Sequence, residues 1–289
     1  MATRHHEDGG GSALNTACAL ACAGRRVLAI GRVGDDPDGR ASIAALERRG
    51  VEVRIEIVPG RTTKHNDLYV ERSTRATAFR AFVPRNCVLP WEEDPPGTME
   101  ASILLLDRLA ASACGWLRTR RAMPGLVNAF NRNAPPFRGP AEKRYREALS
   151  LLDYLQIPEG DGAPHGEPAR QMAAPEERQA VHSPAAAPPL TDAEVAHILS
   201  AGVRILLRTR GPRGVVLHAD GQDPITIPAE PTDVLDPTGA GDALTAGLLD
   251  GLLAGSPTVD AARRGIHWAA RACRHLGARA WLDEEPPGV

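Results

Sequence analysis

The chemistry in this sequence is concentrated in one run, Asp236-Pro237-Thr238-Gly239-Ala240-Gly241-Asp242. Gly239 and Gly241 lack a Cβ, so the backbone can take φ > 0 there and approach a ligand closely. Leu244, Leu248, Leu249, Leu252 and Leu253 follow at helical spacing with one apolar face. The turn therefore feeds a helix N-terminus, where unpaired N–H groups and the positive end of the helix dipole form an anion site suited to phosphate. Asp242 stands inside that site. A carboxylate beside a bound phosphate needs a task, and the natural one is to take a proton from a hydroxyl that attacks phosphorus. The competing reading makes Asp242 a helix cap, but a cap does not need the preceding Thr-Gly-Ala-Gly.

The surrounding elements must hold that run in place. Gly10-Gly11-Ser12-Ala13-Leu14-Asn15 opens a helix that Gly24 ends. A strand Val27 to Ile30 follows, then Gly31-Arg32-Val33-Gly34-Asp35-Asp36, and Gly39 opens a second helix that Gly50 stops. Val51 to Val58, Asp67 to Glu71 and Thr77 to Val83 alternate as short strands. Ile103 to Leu106 is a continuous apolar run that suits a buried parallel strand. Asp107 then falls at its carboxyl end, where α/β sheets bind ligands. Further alternation is expected: helix Ala110 to Ala122, strand Gly125 to Phe130, helix Ala141 to Leu152 and strand Tyr154 to Ile157. Gly162 to Leu190 is rich in Pro, Ala and Glu and reads as a flexible surface insertion with one short helix around Glu176 to Val181. Thr191 and Asp192 cap a helix Ala193 to Ser200. Val203 to Leu207 is a buried strand, Thr209-Arg210-Gly211-Pro212-Arg213-Gly214 a loop, Val215 to His218 a strand and Ala261 to Leu276 a last helix. Strands alternating with helices argue for a three-layer α/β fold.

Composition narrows the partners. The 289 residues suit a single α/β domain with an ample core. A formal net charge of −2 gives no footprint for nucleic acid or an anionic membrane. Neither a signal peptide nor an apolar span of about 20 residues is present, which implies a cytoplasmic protein. The five cysteines are odd in number and include no C-x-x-C, against a disulfide framework or structural zinc.

Asp236 to Asp242 resembles the C-terminal signature of the ribokinase-like (PfkB) carbohydrate kinases, and Gly10, Gly11 and Asn15 with the later Val-Gly-Asp-Asp resemble the N-terminal one. The resemblance implies an αβα ribokinase-like domain over the whole chain, with a small β-lid from about residue 51 to 83 that covers a sugar and offers a homodimer contact. It implies Asp242 as catalytic base, with Gly239, Ala240 and Gly241 as the anion hole for the transferred phosphoryl group. Gly10, Gly11, Asn15 and Asp107 become sugar contacts. Thr209, Gly211 and Gly214 form the nucleotide loop near the ATP phosphates, and His267 either lines the adenine pocket or is an ordinary solvated helix histidine. ATP and Mg²⁺ are the implied cofactors. Asp236 and Thr238 would hold a monovalent cation such as K⁺ behind the anion hole.

Two departures stand out. The family's first core strand, expected ahead of the double glycine, is missing here. Its Asn-x-x-Glu, which organises the Mg²⁺ shell, is replaced by Pro158-Glu159-Gly160-Asp161, so Glu159 or Asp161 would have to order metal-bound water. Arg61-Thr62-Thr63-Lys64 resembles a Thr-Thr-Lys stretch of heptose-phosphate kinases. The leading expectation is an ATP-dependent kinase of a sugar or sugar phosphate. The alternatives are a catalytically weak or truncated member that senses sugar or nucleotide, and a nucleoside kinase, which the low aromatic content (4%) disfavours.

Overall fold

The computed structural model describes residues 9–70, 77–82, 86, 102–106, 127–130, 149–159, 179–182, 189–284 and 287. Helix α1 (Ser12–Cys22) runs into strand β1 (Leu28–Gly34), and helix α2 (Pro37–Glu47) crosses to β2 (Glu52–Val58). β1 and β2 pair in parallel from Leu28↔Glu52 to Gly34↔Val58. This is the strand–helix–strand crossover that parallel pairing requires. A second parallel pair joins β5 (Ile103–Leu106) to β6 (Val127–Phe130). β6 lies beside β7 (Tyr154–Pro158). β7 pairs in parallel with β9 (Ile205–Thr209), and β10 (Val215–Ala219) and β11 (Ile225–Ile227) extend that sheet antiparallel, in the order β11-β10-β9-β7.

Alternation along the strands sorts the helices into two layers. On β5, Ile103 and Leu105 pack on one side with α1, α4 (Ala240–Leu253) and α5 (Thr258–Ala272). Leu104 and Leu106 turn the other way, toward α3 (Asp192–Ser200), with Leu155, Ile157 and Leu206. Successive strand residues point to opposite faces, so one short apolar run feeds two cores. The result is the expected three-layer αβα arrangement. α3 begins with a capping box: Thr191 accepts from Glu194 N, and Glu194 Oε2 accepts from Thr191 N.

α4 and α5 interlock through their small residues. A Cβ on Gly247 would lie 2.8 Å from Gly265 Cα, and one on Gly251 would lie 2.7 Å from Ala261 Cα. The glycines let the two backbones approach more closely than larger side chains would.

Three expectations change. β2 pairs with β1, because it enters directly from the α2 crossover, so the residues expected as lid from 51 divide between that parallel pair and a later segment that starts at β3 (His65–Val70). There β3, β4 (Thr77–Phe82) and β8 (Gln179–His182) form a separate antiparallel sheet. Second, Gln179 to Val181 were expected in a short helix but are extended. β8 pairs with β4 from Phe79↔His182 to Phe82↔Gln179, and this long-range backbone pairing overrides local propensity. Third, β9 ends at Thr209 rather than Leu207, and α5 starts a turn earlier and stops at Ala272. Leu149 and Ser150 are helical, as expected of the end of the Ala141–Leu152 helix. Residues 110–122, 160–178, most of 84–97, and both Asp107 and Asp161 lie outside the described residues.

Candidate active site

The Asp236–Asp242 run forms the turn its residues predict. Gly239 is the N-cap of α4 with φ +80°, and no side chain caps this helix. A Cβ on Gly239 would lie 2.6 Å from Ala278 Cβ, so the turn needs glycine both for its left-handed backbone and for that close approach. A Cβ on Gly241 would meet nothing within 4 Å. Among the described residues, nothing fills the space next to Gly241 at this helix N-terminus. Ala240 N donates to Pro237 O at 3.1 Å, so of the three residues expected in the anion hole Ala240 is already engaged within the turn.

Asp236 fastens the turn from beneath. It is 3% exposed; its Oδ1 accepts from Thr238 N and its Oδ2 from Gly277 N, both at 2.8 Å. The backbone N–H groups of Leu235 and Asp236 donate to Cys273 O at 2.7 and 3.1 Å. Burial, with the Asp236 charge beside it, pushes the Cys273 thiol up to about 11, so it stays a neutral thiol at physiological pH. Thr238 Oγ1 is buried without a hydrogen-bond partner. An orphaned hydroxyl oxygen beside a buried carboxylate fits a monovalent cation.

Asp242 begins the second layer of the site. Asn15 Nδ2 donates to its Oδ2 at 2.7 Å, and Thr16 Oγ1 donates to its backbone oxygen at 3.2 Å. Both donors lie on α1, close behind Gly10 and Gly11. Gly11 is the N-cap of α1 with φ +100°, and a Cβ on Gly10 would meet nothing within 4 Å. The two glycine-opened helix N-termini are thus joined through Asn15. Arg279 Nε donates to Asn15 Oδ1 at 2.8 Å. On the far side, Thr245 Oγ1 contacts Gln156 Oε1 and Gly241 O, each at 2.8 Å, which ties the first turn of α4 to β7.

The metal assignment fares differently. Glu159 N donates to Thr209 O at 2.7 Å, which places Glu159 beside the loop that begins at Thr209. Its carboxylate, however, forms a buried ion pair with Arg208, whose Nε lies 2.6 Å from Oε1, and it also accepts from Leu190 N at 3.0 Å. Arg208 Nη1 lies 3.2 Å from His218 Nε2. Burial and the Arg208 charge hold His218 below its ordinary pKa. Glu159 Oε1 is thus engaged by Arg208 and by Leu190 N. Among the described residues, no cluster of three or more His, Cys, Asp or Glu could hold a metal ion.

The other expected residues are scattered. Thr209 ends β9 and leads into a short 3₁₀ turn, Gly211–Arg213. Gly214 has a packing reason: at φ +83°, a Cβ there would collide with the backbone of Ile227 to Ala229. His267 sits on an exposed face of α5, where Nδ1 lies 2.8 Å from Glu230 Oε2. Sequence reasoning missed Arg279, Arg208, Gln156 and Thr245. It also missed a clamp at Asp36, which accepts from Gly39 N at the start of α2 and from Thr63 N at 2.6 Å, fixing the loop before β3. Burial pushes that carboxyl up, but hydrogen bonds from Thr63 and Gly39 and the Arg40 charge outweigh it, leaving Asp36 below the ordinary carboxylate range.

The three-layer α/β domain thus brings together an uncapped glycine turn and a tethered aspartate. The sequence pattern of the pfkB family carbohydrate kinases matches residues 2–101 and 172–285, and the chain belongs to that family. The bifunctional protein HldE of Caulobacter vibrioides is 29% identical over 255 residues, which cover 88% of this chain and 50% of that protein. The chain thus spans about half the length of the HldE relatives it matches. A cytidine kinase of Thermococcus kodakarensis is 24% identical over 93% of this chain and 88% of its own length. Among solved structures, an Arabidopsis thaliana ribokinase complexed with ribose and ATP superposes with TM-score 0.69 at 20% identity, covering 97% of this chain and 86% of that one. At that identity the likeness speaks for the fold. No helix among the described residues is long and apolar enough to cross a membrane.

Proposed function

We propose that this chain phosphorylates a hydroxyl of a sugar or sugar phosphate, with Asp242 as the general base. The observation that carries this reading is the position of Asp242. It lies in the first turn of an uncapped helix, tethered at 2.7 Å by an Asn that starts from the other glycine-opened helix.

ATP would supply the phosphoryl group. The N-terminus of α4 meets the charge that develops on it, with Gly239 and Gly241 letting the group approach the backbone. Asp242 takes the proton from the acceptor hydroxyl as that oxygen attacks. Gly10, Gly11 and Asn15 border the acceptor, and the sheet β3-β4-β8 is the element we assign to covering it and to a dimer contact. Asp236 and Thr238 fit a K⁺-class cation, which would add positive charge behind the anion site. Thr209 and Gly211 face the nucleotide phosphates in this reading.

A nucleoside acceptor is the second reading. The cytidine kinase relative favours it, since this chain covers most of that protein's length but only half of the HldE relatives.

The test offers purified protein ATP, Mg²⁺ and K⁺ with a panel of pentoses, hexoses, sugar phosphates including heptose phosphates, and nucleosides. ADP formation that depends on a sugar or sugar phosphate supports the first reading. Formation only with nucleosides replaces it with the second. Binding of ATP without transfer to any acceptor would leave the sensor interpretation standing.

A further inference from the structure

The side-chain amide of Asn15 has a donor end and an acceptor end, and its other neighbour decides which end faces Asp242. A guanidinium only donates hydrogen bonds. Arg279 Nε donates to Asn15 Oδ1 at 2.8 Å, which fixes that oxygen toward the arginine. Nδ2 is then the end presented to Asp242 Oδ2, at 2.7 Å. With the amide reversed, a donor would face the guanidinium and an acceptor would face the carboxylate. Both contacts would turn repulsive.

Arg279 is held firmly enough to do this. It is 1% exposed. The segment around it is fixed at both ends. Gly277 N is bound by Asp236 Oδ2, Leu282 N donates to Arg279 O at 2.9 Å, and the buried Trp281 donates from Nε1 to Ala278 O at 3.2 Å. The arginine also lies under the opening glycines, since a Cβ on Gly9 would come within 2.8 Å of Nη1. One buried cation thus touches the glycine run that opens α1 and, through one amide, the carboxylate that opens α4.

We infer that Arg279 is a positioning residue for phosphoryl transfer. Acting through Asn15, it locks the amide so that it donates to Asp242, and so holds the carboxylate toward the acceptor hydroxyl. The inference rests on the reading of Asp242 as the base. Arg and Lys are not interchangeable here, because the planar fork places Nε at a fixed point and an ammonium does not.

The experiment compares wild type, Arg279→Met, Arg279→Lys, Gly9→Ala and Asn15→Ala in the full chain. The first readout needs no turnover. The ¹⁵N side-chain resonance of Asn15, identified by its loss in Asn15→Ala, is protected from solvent exchange in wild type. It should shift and exchange about tenfold faster or more in Arg279→Met, with Arg279→Lys restoring it only in part. Gly9→Ala presses on the guanidinium from outside the core and should move the same resonance, which keeps the test open if Arg279→Met does not fold. The second readout uses ATP and the best acceptor of the panel. kcat should fall roughly 10- to 100-fold in Arg279→Met, the range expected when a reacting group is misplaced by about 1 Å, while KM for ATP changes less than about twofold. In an Asn15→Ala background the same substitution should add almost nothing. An unmoved Asn15 resonance in folded Arg279→Met or Gly9→Ala overturns the inference, as do kcat losses that multiply in the double variant. A pinned amide in a wild type that transfers phosphate to no acceptor overturns the base assignment itself, and the two failures are told apart by the first readout.

Discussion

Individual residues set the site by what they cannot do. Gly239 cannot be replaced cheaply, because φ +80° is unfavourable for any side chain and the methyl of alanine would press on Ala278 at 2.6 Å. Gly239→Ala should destabilise the fold by about 1–3 kcal/mol and weaken nucleotide binding with it. Thermal unfolding with and without ATP checks both, and an unchanged melting temperature would contradict the tight turn. Asp36 acts through its charge. Its folded pKa is below the unfolded value, so the stability it contributes is present above that unfolded value, about 3.9, and is lost as pH falls through the folded one. Asp36→Asn should therefore lower stability at pH 7, and the gap to wild type should close as the pH drops below about 4. Urea titrations at several pH values measure this, and a gap that widened in acid would mean that the Thr63 and Gly39 hydrogen bonds do not govern the carboxyl.

At the scale of elements, a buried charge pair sits at the end of the β7–β9 pairing, beside the apolar packing of Leu155, Ile157 and Leu206. Arg208 and Glu159 side chains are 12% and 2% exposed. Removing one partner leaves a buried uncompensated charge, which costs about 3–5 kcal/mol, while replacing both by apolar residues of similar size is often close to neutral. Glu159→Leu alone should strongly lower the urea midpoint, and Glu159→Leu with Arg208→Met should recover most of it. If instead Glu159→Leu left stability intact and only raised the Mg²⁺ requirement of the reaction, Glu159 would be a metal-shell residue after all. The α4–α5 seam offers a second check. Gly265→Ala places a methyl 2.5 Å from Leu244 O, and overpacking of this kind costs about 1–3 kcal/mol. The pattern of these elements was largely legible. Gly-Ala-Gly-Asp before a leucine stripe announced a glycine turn opening a helix, and the alternation of apolar runs announced the strands. β8 was not legible, because its partner β4 lies far away in the sequence and Gln-Ala-Val-His carries no periodicity of its own. Arg208 and Arg279 escaped for another reason. Arginine ordinarily reads as surface, and only the folded chain shows which carboxylate or amide each one faces.

Across the whole molecule, the two glycine-rich segments lie at opposite ends of the sequence, yet the fold joins them in one hydrogen-bonded series, Arg279 to Asn15 to Asp242. Segments far apart in the sequence and brought together in this way make the site dependent on global folding, so nucleotide or acceptor binding should raise the melting temperature of the whole domain with the logarithm of ligand concentration once that concentration exceeds Kd. The measurement that bears most directly on the account is phosphoryl transfer by Asp242→Asn beside nucleotide binding by the same variant. The amide keeps the shape but cannot accept the proton, so turnover on the best acceptor should fall by about 10²–10⁴-fold or more while ATP affinity by calorimetry stays within a few-fold of wild type. Turnover above half the wild-type rate in the folded variant would show that Asp242 is not the base.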